Sequence, residues 1–107
     1  MDLTQKKCIP CEVGGAPLPV QQAEELLKRI SGWTLWPGAR AISKAYTFPD
    51  FKTAFDFVAN VAALADEEGH HPDISLSWGH VEIELTTHAV QGLSENDFIV
   101  AAKIDAL

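Results

Sequence analysis

Apolar residues recur along the chain with two different periods. Between Val20 and Ile30, the residues Ala23, Leu26, Leu27 and Ile30 stand three and four apart, and Gln21, Gln22, Glu24, Glu25, Lys28 and Arg29 fill the other face. That spacing predicts an amphipathic helix, with Gly32 as its stop. Trp33 to Trp36 reads as a short strand and Ala41 to Phe48 as a second, with Ile42, Tyr46 and Phe48 on one parity. Pro37-Gly38 marks a turn, and Gly38 to Arg40 the hairpin loop. Asp50 is a good N-cap for the longest helix, Phe51 to Glu68, and Gly69 ends it. Its expected core stripe is Phe51, Ala54, Phe55, Val58, Val61, Ala62 and Ala65.

The period then shortens to two. Ile74, Leu76 and Trp78 alternate with Ser75 and Ser77, and Val81, Ile83 and Leu85 alternate with Glu82, Glu84 and Thr86. Gly79-His80 fits a tight hairpin turn between them, Gly first. Ser94 opens a last helix with Asp97 as its capping-box partner. The order helix, two strands, helix, two strands, helix predicts an α+β fold: a largely antiparallel four-stranded sheet with three helices packed on one face. Residues 1–17 read as an irregular arm, and 18–107 as a single domain.

Length and composition bound this picture. The 107 residues, 47% of them hydrophobic, suit one compact domain, and a domain this short benefits from a buried subunit interface. The net charge of −7 argues against nucleic acid and anionic membranes as partners. No apolar run approaches the ~20 residues that span a bilayer. The start, MDLTQKKCIPCE, has lysines without an apolar stretch after them, so a cytoplasmic location is expected. Cys8 and Cys11 form one C-x-x-C pair with Pro10 inside it. A structural zinc needs four ligands, and there is no second pair. The expectation is no essential catalytic role for the pair.

Candidate chemistry gathers on histidines. His70 and His71 are adjacent after the long helix, and Pro72 pushes His71 toward extended backbone, so the two rings should diverge. Extending strand parity places His88 with Glu82, Glu84 and Thr86, on the polar face of the sheet away from the helices. Histidine gives or takes a proton near neutral pH. Asp66, four residues before His70, reaches that ring if the helical turn persists. Each residue also has a plainer reading: a lone histidine is more often a surface or packing residue, Asp97 a helix-capping carboxylate, Trp78 core or interface, His80 a turn residue.

Taken together, the spacing Asp66-x3-His70-His71-Pro72, then Trp78, His88 and Asp97, resembles the signature of the pterin-4a-carbinolamine dehydratases. The stretch GHHPDISLSWGHVEIELTTHAVQGLSEND is similar to that family throughout. So are Gly32-Trp33 and the Phe-x-x-Ala-Phe segment at 51–55, whereas the C-x-x-C arm lies outside the signature.

The resemblance implies a dehydratase that takes water from 4a-hydroxytetrahydropterin to give quinonoid dihydropterin. It implies His70 and His88 as the acid–base pair, with the direction of transfer open, and His71 as a pterin-binding residue. Asp97 orients His88 or supports the site, Asp66 is an orienting carboxylate, and Trp33 and Trp78 are candidate pocket walls. It implies no metal and no cofactor, a homodimer or homotetramer, and a functional link to an aromatic amino-acid hydroxylase in tetrahydrobiopterin recycling. Three other readings are a metal module built from His70, His71, His88 and Asp97, an interaction protein, and a dehydratase acting on a different pterin.

Overall fold

The computed structural model describes residues 2–10 and 14–107. Seven main elements follow in order: α1 (Val20–Leu27), β1 (Thr34–Leu35), β2 (Ile42–Thr47), α2 (Phe51–Glu68), β3 (Asp73–Ser77), β4 (His80–Leu85) and α3 (Glu95–Asp105). The strands form one antiparallel sheet in the order β1-β2-β4-β3. The fold is the α+β arrangement expected, with the three helices on one face.

The alternation in β4 explains how the layers meet. Val81, Ile83 and Leu85 are fully buried beneath the helices. Glu82 and Glu84 point the other way, level with Ala45 and Ser43 of β2 and Ser75 and Asp73 of β3. One polar sheet face thus remains open while the other seals the core. Phe98, Ile99, Val100 and Ala101 of α3 are buried at 1% exposure or less, so this helix is the centre of the helical layer.

Several boundaries differ from the expectation. Helix α1 stops at Leu27, because Arg29 and Ile30 donate to Leu26 and Leu27 in a tightened final turn. The first strand shrinks to Thr34–Leu35, and Pro37–Ala39 forms a short helical turn. The β3–β4 loop is Trp78-Gly79, with Gly second (φ 67°), and His80 is the first strand residue, paired with Ser77.

The α2 stripe is also rotated. Ala54, Val61 and Ala65 are buried, but Phe51 (46%) and Phe55 (50%) are exposed, as is Ala62. At 3.6 residues per turn these three lie roughly 80° round the helix from the buried set. The core side takes Phe57 and Leu64 instead, and the Phe57 ring packs 4.7 Å from Tyr46 and 5.3 Å from Phe48. The N-terminal arm is anchored as well: Leu3 is 1% exposed and packs in the core.

Candidate active site

Helix α2 starts where Asp50 accepts the Thr53 N–H at 2.8 Å and ends in a Schellman motif. Gly69 is left-handed (φ 66°), its N–H donates to Asp66 O, and the His70 N–H reaches back to Ala65 O. That reversal sends the next two side chains apart. His70 Nε2 lies 2.6 Å from Asp97 Oδ1, and His71 Nε2 lies 2.8 Å from Asp66 Oδ1. The expected divergence is present, but the partners differ from those expected. Asp97 holds His70 and not His88, because α3 begins beneath the end of α2. Asp66 holds His71 and not His70, because Gly69 breaks the helical turn that would have aligned Asp66 with His70.

Asp97 is fully buried. Its Oδ2 accepts from the Ser94 N–H at 2.9 Å and from Thr87 Oγ1 at 2.7 Å. Thr87 has only one hydroxyl proton, so in the 2.7 Å contact between the two hydroxyls Ser94 donates. Asp97 Oδ2 therefore accepts both of its bonds. With Asp97 as a carboxylate, its Oδ1 would accept from His70 Nε2, the tautomer that leaves Nδ1 without a proton. One carboxylate both closes the capping box of α3 and contacts a histidine from the loop after α2.

His88 is positioned differently from the parity argument. Strand β4 ends at Leu85, and the Thr87 N–H donates to Gly92 O at 2.8 Å, closing a loop over 88–91. Residues His88–Val90 form a helical turn, Val90 is buried at 7% exposure, and Gln91 is left-handed (φ 57°). His88 is thus presented, exposed, from a loop rather than from the polar sheet face. Gly92 is required by close approach: a Cβ there would sit 2.8 Å from Pro17.

The three histidines line one cavity of about 310 Å³, at the small end of the roughly 300–1,000 Å³ range of ligand pockets. Thr86 and Asn96 also line it, and so do Ile9 and Pro10 of the arm. Sequence reasoning did not single out Asn96 or the arm. Asn96 stands in the first turn of α3 with no periodic signal to mark it, and the arm lay outside the recognisable signature.

Neither candidate wall tryptophan, Trp33 or Trp78, lines this cavity. Trp33 is 7% exposed and donates from Nε1 to Asp105 Oδ1 at 3.0 Å, about 12 Å along α3 from Asp97 by helical rise. Trp78 is 71% exposed at the tip of the β3–β4 hairpin, at the opposite end of β3 from His70 and His71. The Cys8 thiol is half-buried. Burial first, then the nearby Glu68 charge, pushes it up to about 12, so it stays protonated at neutral pH. Cys11 lies outside the described residues. Among those described, no group of three or more His, Cys, Asp or Glu side chains is placed to hold a metal ion, and no helix is long and apolar enough to cross a membrane.

Comparisons with known proteins converge on one family. Residues 16–107 match the family model described as pterin 4 alpha carbinolamine dehydratase. A Halorhodospira halophila protein named "Putative pterin-4-alpha-carbinolamine dehydratase" is 48% identical over 107 residues, covering 100% of this chain and 98% of that one. A Methylococcus capsulatus protein of the same name is 45% identical, covering 98% and 92%. Among solved structures, a transcriptional coactivator/pterin dehydratase from Brucella melitensis superposes with a TM-score of 0.78 at 34% identity, covering 84% of this chain and 96% of that one. A pterin dehydratase-like protein described as a RuBisCO assembly factor in the alpha-carboxysome gives 0.60 at 26%, covering 70% and 87%.

Proposed function

The chain belongs to the pterin 4 alpha carbinolamine dehydratase family, and we propose that it eliminates water from a 4a-hydroxytetrahydropterin by histidine acid–base chemistry. The observation that carries this reading is the convergence of His70, His71 and His88, from two separate loops, on one cavity.

The reaction needs two proton movements. A proton joins the C4a hydroxyl as the C–O bond breaks and water leaves. The N5 proton goes to a base, and its electron pair forms the C4a=N5 double bond of the quinonoid dihydropterin. The pterin is neither oxidised nor reduced by the exchange, so the balance closes without a redox partner.

His70 takes the N5 proton through Nδ1. Support comes from Asp97, a buried carboxylate on Nε2 that stabilises the imidazolium formed when Nδ1 is protonated, the logic of a carboxylate-oriented base. His88, exposed on the opposite loop, delivers the proton to the hydroxyl. His71, held outward by Asp66, contacts the pterin near the reacting centre. The physiological role that follows is recycling of a tetrahydropterin after an aromatic hydroxylation, in the cytoplasm.

The test is dehydration of freshly generated 4a-carbinolamine. The wild type should exceed the spontaneous rate, and His88→Ala should lose about 10²-fold or more with its fold intact. Activity should survive exhaustive chelation; a rate abolished by EDTA and restored by zinc would reject the acid–base reading. An assembly role, which the carboxysome neighbour's description names, exercised here without turnover would leave wild type and His88→Ala at the same spontaneous rate.

A further inference from the structure

The N-terminal arm is held at the cavity more tightly than its irregular backbone would suggest. The Ile9 N–H donates to Asn96 Oδ1 at 3.0 Å, and Asn96 Nδ2 donates back to Ile9 O at 2.6 Å. The Asn96 side chain thus clamps both backbone groups of a single residue, as a neighbouring strand would. One residue earlier, the Cys8 N–H donates to Glu68 Oε1 at 3.0 Å. Glu68 is itself fixed by Lys103 at 2.6 Å. Asn96 is 5% exposed and Glu68 8%. Two buried polar side chains therefore hold consecutive arm residues, Glu68 of α2 the Cys8 backbone and Asn96 of α3 that of Ile9.

The residue so placed is an isoleucine left 70% exposed. Anchoring alone does not account for it, because the buried Leu3 already ties the arm to the core. A fixed, uncovered apolar side chain makes physical sense if a ligand covers it. Ile9 lines the cavity that His70, His71 and His88 share. Those three residues supply polar edges suited to hydroxyl and ring-nitrogen groups, and a fused heterocycle also has two flat apolar faces.

We propose that Ile9 is the apolar wall on which a flat face of the pterin ring rests, and that Asn96 acts as the positioning residue that holds this wall in place. The inference rests on the pterin reading above and extends it to the arm. It assigns Ile9 to ground-state binding, because the ring face is present in substrate, transition state and product alike. It gives Ile9 no part in either proton transfer.

The test is titration of wild-type protein with 7,8-dihydropterin, followed by steady-state dehydration kinetics. Ile9→Ser should weaken dihydropterin binding and raise KM about tenfold, the scale of one lost apolar contact, while kcat stays within about twofold. Its urea midpoint should not move, because the side chain is already exposed. Asn96→Ala should give a similar rise in KM, and the double variant should be little worse than either single one, since both remove the same wall. A wild type that binds no dihydropterin sinks the pterin reading and this wall with it. A wild type that binds, with Ile9→Ser binding equally well, sinks the wall alone. So does an Asn96→Ala effect that adds in full to that of Ile9→Ser.

Discussion

The site contains the same chemical pair twice, at two depths. His70–Asp97 and His71–Asp66 have nearly equal contacts, 2.6 and 2.8 Å, and arise from consecutive residues. Their surroundings are opposite. The first pair's side chains are 13% and 0% exposed; the second pair's are 62% and 80% exposed. Distance is therefore a poor guide to what each pair does. Asp97 has no water to fall back on, so its partners Thr87, Ser94 and His70 depend on it for an acceptor. Asp66 and His71 exchange one another for water at little cost. On the proposed reading, the buried pair fixes a tautomer and the exposed pair aims a ring.

The largest effect should come from Asp97→Ala. It removes the Asp97 half of the capping box and strands several buried donors, each at about 1–3 kcal/mol. We expect about 3 kcal/mol of lost stability by urea denaturation, with at least ~100-fold lower turnover. A loss well under 1 kcal/mol would break the contrast in depth. Next, His70→Ala should lower kcat by ~10²–10⁴, while His71→Ala mainly raises KM. Equal losses of kcat in the two variants would remove the division between them.

Glu68 sharpens the comparison from the same helix. It stands two residues from Asp66, yet its side chain is 2% exposed and pairs with Lys103 at 2.6 Å. Burial alone would raise its carboxyl, but the bonds from Lys103 and the Cys8 N–H outweigh burial and lower it below the ordinary 4.5. A carboxyl lowered in the folded state stabilises fully above its unfolded value and loses that contribution as pH falls through the folded value. Glu68→Gln should therefore be less stable than wild type at pH 7, and the gap should close below about 4.5. Urea midpoints across that range check it; a gap that widened in acid would contradict the assignment.

What the sequence made legible was local. The Asp50 and Gly69 caps of α2 were readable because their partners lie within a turn. So was the Val81, Ile83, Leu85 alternation, because one buried face imposes it. The Ser94–Asp97 box was readable for the same reason, but the contact of Asp97 with His70 joins residues 27 apart and depends on how α2 docks on α3. His88 was misplaced because parity was carried past Leu85, where the Thr87–Gly92 pairing turns the chain. The α2 stripe was misread because more apolar residues stand on that helix than one face holds. Leu3 and Ile9 carried no periodic signal, so their packing and their place at the cavity could not be read from spacing.

The smallest expected effect is also the most discriminating. Asp66→Ala removes a contact as short as many buried ones, yet exposed ion pairs contribute roughly 0–1 kcal/mol. We expect stability within about 0.5 kcal/mol of wild type, unchanged kcat, and a KM raised only a few-fold as His71 loses its preferred orientation. The KM effect should shrink further at 1 M salt, where screening shortens the reach of charges to about 3 Å. The equivalent salt series on Asp97→Ala should show little change, because its partners are shielded by protein rather than by ions. A salt-sensitive buried pair, or an Asp66→Ala variant as damaged as Asp97→Ala, would show that contact distance, and not depth, sets the roles of the two histidines.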